Sequence, residues 1–300
     1  MHSSLVEKDT VDLIINFAPT GMIPTRDMTP YVPLTVGEIV EDVHEAVDLG
    51  ITMVHLHARD EQTGAPTYRA EVYGEVIAGI RRFAPDLVIS VSLSGRTFSQ
   101  FEQRAQPLLL EGGEKPDMGS LTLSSVNFNR EASVNTPEMI QALAGEMQRR
   151  GVLPELEVFD AGMINYAKYL ERKGLLEPPH YFNLLLGNVA CAQADLLHAG
   201  VMVRDLPSGC LWSMAGIGDS QLMMNSIAVA YGGGVRVGLE DTIWYDQART
   251  RLARNADLLK RIHGIAECNE RRVMRPKELR QLLNLSAGSG QYGRVYSTRD

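Results

Sequence analysis

Two histidines stand two residues apart in VHLHARD (54–60), and their spacing is the first chemical signal in the chain. On an extended strand, alternate residues share a face, so the imidazoles of His55 and His57 project together. Two adjacent imidazoles taken out of water need a shared cation or hydrogen-bond partners, because an unsatisfied polar ring costs desolvation energy. A divalent metal meets that need; a pair of hydrogen-bonded core histidines is the plain alternative. GLED (238–241) offers a third donor, with Glu240 to ligate and Asp241 to act as a base. Neighbouring strand residues face opposite ways, yet where a strand turns into a loop both can reach one opening. Helix capping is the ordinary reading of such acids. His55, His57 and Glu240 together form a His₂Glu set with open coordination positions, the arrangement of a catalytic zinc.

Arg236 lies inside the apolar run GVRVGL, where a guanidinium needs a partner. A carboxylate of the protein or of a substrate would supply one, and Arg236 with Asp241 would make an oriented base. A purely structural ion pair is the alternative. Glu157, flanked by apolar residues in ELEVFDAG, needs a metal, an arginine or a proton. Ser92 and Ser94 in VSLSGR and Ser120 in MGSLTL sit near other predicted strand ends. The sequence contains no GxSxG, P-loop or HExxH pattern, which removes the anchors for serine hydrolase, ATPase and zincin readings. Cys191, Cys210 and Cys268 form no CxxC pair, so neither a disulfide framework nor a cysteine zinc site is indicated.

The elements that must carry these residues alternate regularly. Strand-like runs fall at 12–17, 52–58, 87–93, 118–123, 155–159, 181–186, 210–215 and 235–239, with helical patterns between them. Several are apolar almost throughout, as strands of a parallel sheet buried on both faces are. The expected fold is α/β, a single (β/α)8 TIM barrel over residues 1–285, with its active site at the C-terminal strand ends. Thr35 and Glu38 have capping-box spacing before a helix over 36–49, whose Ile39, Val43, Ala46 and Val47 fall on one face. Asp219 is placed to start the Met-rich helix QLMMNSIAVAY, and Pro276 to open a short C-terminal one. The glycine-rich turn AGIGDS (215–220) could hold an anion on its backbone N–H groups or be a plain barrel loop. Residues 286–300 read as a flexible or partner-docked Gly/Ser-rich tail. Their GxGxxG spelling has no strand before it and no helix after it.

The 300 residues are 44% hydrophobic and 22% charged, a globular mixture. A net charge of −8 argues against a nucleic-acid partner held through phosphates. No apolar run is long enough for a membrane span, and the N-terminus lacks a signal-peptide core, so a cytoplasmic location is expected.

The segments APTGMIPTRDMTPYVPLT (18–35), GITMVHLHARDEQTGAPT (50–67), PDMGSLTLSSVNF (116–128), PELEVFDAG (154–162) and GGGVRVGLEDTIWY (232–245) resemble the zinc-dependent β-keto acid cleavage enzymes. The resemblance implies a (β/α)8 barrel, usually a homotetramer, with zinc on His55, His57 and Glu240. It implies a reaction of a β-keto acid with acetyl-CoA that gives acetoacetate and a new CoA thioester. Ser92, Arg236 and Asp241 would form the proton-abstracting group, with Glu157 in the active site. Ile23 stands where the member acting on an amino-substituted keto acid has a glutamate, which implies a substrate without the amine. Leu93, Ser94, Gly95 and Ser120 also depart from the family pattern, in the region of the acyl pocket. Arg59 and Arg96 are candidates for the CoA phosphates. Two other functions compete: a zinc aldolase or hydrolase on the same ligands, and a noncatalytic protein binding zinc or a keto acid. An oriented base beside the metal argues against the second.

Overall fold

The computed structural model describes residues 12–294. Its parallel strands β1 (Ile15–Phe17), β2 (Met53–Leu56), β3 (Val88–Val91) and β4 (Met118–Thr122) are followed by a small antiparallel hairpin, β5 (Val126–Asn127) and β6 (Ala132–Ser133). Strands β7 (Leu153–Val158), β8 (Tyr181–Leu186), β9 (Leu211–Gly216) and β10 (Gly234–Val237) then complete a closed barrel, with Ile15 of β1 paired to Val235 of β10. The expected α/β barrel is the one found, with strand limits shifted by a few residues.

Helices α1 (Val36–Leu49), α2 (Ala70–Arg81), α3 (Phe101–Arg104), α4 (Pro137–Arg150), α5 (Ala161–Arg172), α6 (Leu196–Asp205), α7 (Gln221–Tyr231), α8 (Asn255–Cys268) and α9 (Pro276–Leu282) accompany the strands. The cap of α1 forms as its spacing predicts: Thr35 Oγ1 accepts the Glu38 N–H, and Glu38 Oε2 accepts the Thr35 N–H at 3.0 Å. Two features differ from the simple strand–helix alternation. After β3 the helix is only one turn long, because Pro107 and Gly112, the latter at φ +58°, break the following segment into tight turns. Asp219 does not cap α7; its carboxylate pairs with Arg249 at 2.9 Å, and Ser220 occupies the cap position.

Alternate strand residues fill the barrel interior in layers. The floor is apolar: Ile14, Met53, Val88, Met118 and Leu153 pack on Leu279 and Leu283 around α9. Beneath it Asp117, fully buried, accepts hydrogen bonds from Arg81 and Arg280 at 2.7–2.9 Å and from the Gly293 N–H at 3.0 Å. Residues 286–294 of the expected tail therefore lie against the barrel: Tyr292 is buried under the Arg81 guanidinium, and the Arg294 N–H donates to Gly151. The rest of that segment, 295–300, is outside the described residues. No helix of the described residues is long and apolar enough to cross a membrane.

Candidate active site

Above the floor the interior turns polar. His55, on β2, is buried, and its Nδ1 lies 2.7 Å from Oε2 of Glu155 on β7. An ionised carboxylate only accepts, so Nδ1 carries the hydrogen and Nε2 faces the other way. There it lies 3.2 Å from His57 Nε2, which is itself 3.0 Å from Glu240 Oε1. The His55, His57 and Glu240 donor atoms fall within 4.8 Å of one another. Glu240 Oε2 is buried without a hydrogen-bond partner among the described residues. Two nitrogens and a carboxylate facing one point, with an orphaned oxygen beside it, are a donor set that fits a divalent metal and leaves positions free. Gly21 makes room for it: at φ +66°, its absent Cβ would fall 2.6 Å from Glu240 Cγ.

Arg236, on β10, supplies the counter-charge. Its Nε and Nη2 reach Asp241 at 3.1 and 3.2 Å, its Nη2 meets Glu240 Oε1 at 2.6 Å, and its Nη1 lies 3.4 Å from Glu157 Oε1. One buried guanidinium thus holds together three carboxylates. Glycine at 238 is required by a close approach, since a side chain there would run into the Ala18 carbonyl. The turn lets Glu240 and Asp241 both face inward, and the Gly218 N–H fixes the Asp241 carbonyl at 2.7 Å. That N–H of the AGIGDS loop is therefore engaged within the protein.

The electrostatics divide the carboxylates. Burial alone would raise Glu240, but Arg236 and both histidines hold it well below the usual range. Asp241 is raised by burial more than Arg236 lowers it, and Glu157 is raised by burial likewise. Burial opposes charge on His55, yet Glu155 and then Glu240 bring it up to about 9. Glu155, despite burial, is brought down to about 2 by His55.

A cavity of about 610 Å³ opens over these groups, lined by His57, Glu157, Arg236, Glu240 and Asp241 together with Ser92, Ser94 and Ile23. Ser92 does not reach Asp241 by a hydrogen bond; its Oγ accepts the Ser94 N–H at 3.3 Å. Ser120 is withdrawn from the cavity, 2% exposed, with its Oγ accepting the Leu93 N–H at 3.0 Å. Arg59 is equally unsuited to a cofactor phosphate: it is 1% exposed and donates to the carbonyls of Gly21, Pro24 and Gly64. Arg96 does line the cavity, stacked 3.6 Å from the Phe128 ring centre. The residue that sequence reasoning missed is Glu155. Its signal was present, since it shares with Glu157 the two-residue phase of one strand face.

A parallel barrel that gathers a metal-type donor set, an arginine and acids of contrasting charge at its open end is built as an enzyme. The chain belongs to the beta-keto acid cleavage enzyme family, whose model matches residues 12–285. It is 36% identical to the 3-keto-5-aminohexanoate cleavage enzyme of Fusobacterium nucleatum over 275 residues, 91% of this chain and 98% of that protein. It is 34% identical to the 3-oxoadipate:acetyl-CoA acetyltransferase of Cupriavidus necator over 280 residues, 92% and 96% of the two chains. Among solved structures, a ternary complex of ObcA with C4-CoA adduct and oxalate superposes with a TM-score of 0.75 at 20% identity, over 85% of this chain and 68% of that one. Apo ObcA gives 0.71 at 20% identity over 85% of this chain, which spans 65% of that protein's length. At that identity the likeness is one of fold.

Proposed function

We propose that this protein is a zinc-dependent acyl-carbon transferase that combines a β-keto acid with acetyl-CoA, giving acetoacetate and a new acyl-CoA. The observation that carries this reading is the convergence of His55, His57 and Glu240 beside the Arg236–Asp241 pair. Acetyl-CoA is drawn from the relatives, since the acetyltransferase of Cupriavidus necator names it as co-substrate. Zinc bound there would draw charge from the substrate oxygens and acidify the methylene between ketone and carboxylate.

The chain's own groups then perform the proton and positioning work. Asp241, its charge disfavoured by burial, takes the methylene proton, while the two-point grip of Arg236 fixes its direction. The resulting carbanion attacks the acetyl carbonyl carbon, a carbon–carbon bond forms, and the CoA thiolate leaves. The thiolate adds to the original keto carbon. The bond from that carbon to the former methylene breaks, its electron pair stays on the methylene carbon, and Asp241 returns the proton. Acetoacetate and the acyl-CoA result. Glu157, held by Thr122 at 2.7 Å and facing Arg236, keeps a second acid in the same cavity.

The cavity wall favours a substrate without an ammonium group. Ile23, Met28, Val126, Phe159, Leu185 and Val189 make much of it apolar. A panel of β-keto acids with and without the amine, each with acetyl-CoA, tests the proposal by following acetoacetate and the new thioester. Production of both from a non-amino keto acid is expected. A marked preference for the amine rejects the substrate reading, and cleavage that needs no thioester replaces the transferase by an aldolase or hydrolase.

A further inference from the structure

We infer that Glu155 is a positioning residue for the metal site: its buried carboxylate fixes His55 in the Nδ1–H form and aims the Nε2 lone pair at the point shared with His57 and Glu240. The inference rests on the metal reading of that site but concerns a residue outside the donor set. Glu155 is 0% exposed and lies in mid-barrel, where a carboxylate has no packing advantage. Donors from four other barrel strands satisfy it. Oε1 accepts Nδ2–H groups of Asn16 (β1) and Asn183 (β8) at 2.7 and 2.9 Å. Oε2 accepts the Ser90 hydroxyl (β3) at 2.5 Å and His55 Nδ1–H (β2) at 2.7 Å.

Two features distinguish this from an ordinary buried ion pair. Both asparagines turn their N–H groups to Glu155 and leave Asn16 Oδ1 and Asn183 Oδ1 without partners among the described residues, so the surroundings are arranged for a full negative charge at this point. That charge is applied to the far nitrogen of a ring whose near nitrogen faces the donor cluster. A carboxylate behind an imidazole sets its tautomer, holds its plane and increases its basicity toward a metal. Among the described residues no carboxylate stands behind His57 in this way, since its carboxylate contact is made by Nε2 to Glu240, and the two histidines are therefore unequal ligands.

The test uses the full chain, stripped with a chelator and titrated with zinc against a chromophoric competitor, alongside ¹⁵N spectra of the imidazoles, those of the zinc-free protein taken above pH 9, where the His55 ring is neutral. Wild-type protein should show a His55 Nδ1–H resonance that persists when zinc is added. Glu155→Gln should bind zinc about 10–100-fold more weakly and shift the His55 nitrogens toward the Nε2–H form, because the new amide presents an N–H to Nδ1. Equal zinc affinity and an unchanged tautomer in the variant overturn the inference. If Glu155→Gln does not fold, the wild-type spectrum decides: a neutral His55 that carries its single proton on Nε2 in the zinc-free protein, or exchanges freely between forms, overturns it. If wild type binds no zinc, the metal reading fails separately, and the tautomer comparison still tells whether Glu155 governs His55.

Discussion

Arg236 and Asp241 face each other in a two-point clasp, Nε to Oδ2 at 3.1 Å and Nη2 to Oδ1 at 3.2 Å. The same guanidinium also touches Glu240 and Glu157, so the proposed base and the proposed ligand share one counter-charge while their proton affinities diverge. Asp241→Asn keeps the shape and removes the basicity. Turnover should fall by about 10²–10⁴-fold with zinc content unchanged, measured by steady-state rates and metal analysis. Retained turnover would reject Asp241 as the base.

His55→Ala should strip the metal. Purified wild type is expected to hold zinc at a stoichiometry of about one per chain, as a His₂Glu set predicts. Chelation should abolish turnover and added zinc restore it, whereas the variant should hold no zinc after dialysis. A variant with wild-type zinc content would remove His55 from the donor set.

Gly21→Ala should act on Glu240 from a neighbouring loop. Its φ of +66° and the 2.6 Å approach to Glu240 Cγ make the methyl group both strained and obstructive. Stability should drop by roughly 1 kcal/mol or more, and zinc affinity should fall along with it. Thermal melts and zinc competition measure the two effects; unchanged affinity would show that Glu240 is not displaced.

Asp117→Asn should weaken the barrel floor by about 3–5 kcal/mol, because the Arg81 and Arg280 guanidiniums would lose their buried counter-charge. Burial pushes Asp117 upward, but Arg81 and Arg280 hold its carboxyl below the ordinary value. A lowered folded-state value means the carboxylate stabilises the protein above the unfolded value and loses that contribution as pH falls through the folded one. The melting-temperature gap between wild type and variant should therefore be widest near neutrality and shrink in acid. A gap independent of pH would contradict the assignment.

Much of the barrel was legible because near-continuous apolar strands and the Thr35/Glu38 cap are local signals. His55, His57 and Arg236 were legible because charged or imidazole side chains within apolar runs demand partners, and Glu240 and Asp241 because they close the last strand at the end where a barrel gathers its site. Glu155 was overlooked beside Glu157, although once the histidines fix which face of each strand points inward, the same alternation along β7 places both glutamates inside. Ser120 looked like a pocket residue because its strand end is near the mouth, and only the Leu93 N–H that occupies its hydroxyl removes it. The docking of 286–294 depends on Asp117, Arg81 and Gly151, far away in sequence, and a Gly/Ser-rich composition carries no trace of such contacts.

The grip of Arg59 on the carbonyls of Gly21, Pro24 and Gly64 stiffens one rim of the barrel mouth. It anchors the main chain of the first loop on both sides of Met22 and Ile23 while leaving those side chains free to face the cavity. The wall formed by residues 22 and 23 is thus separated mechanically from the frame beside Glu240, so that the shape of the opening and the stiffness of its support are set by different residues.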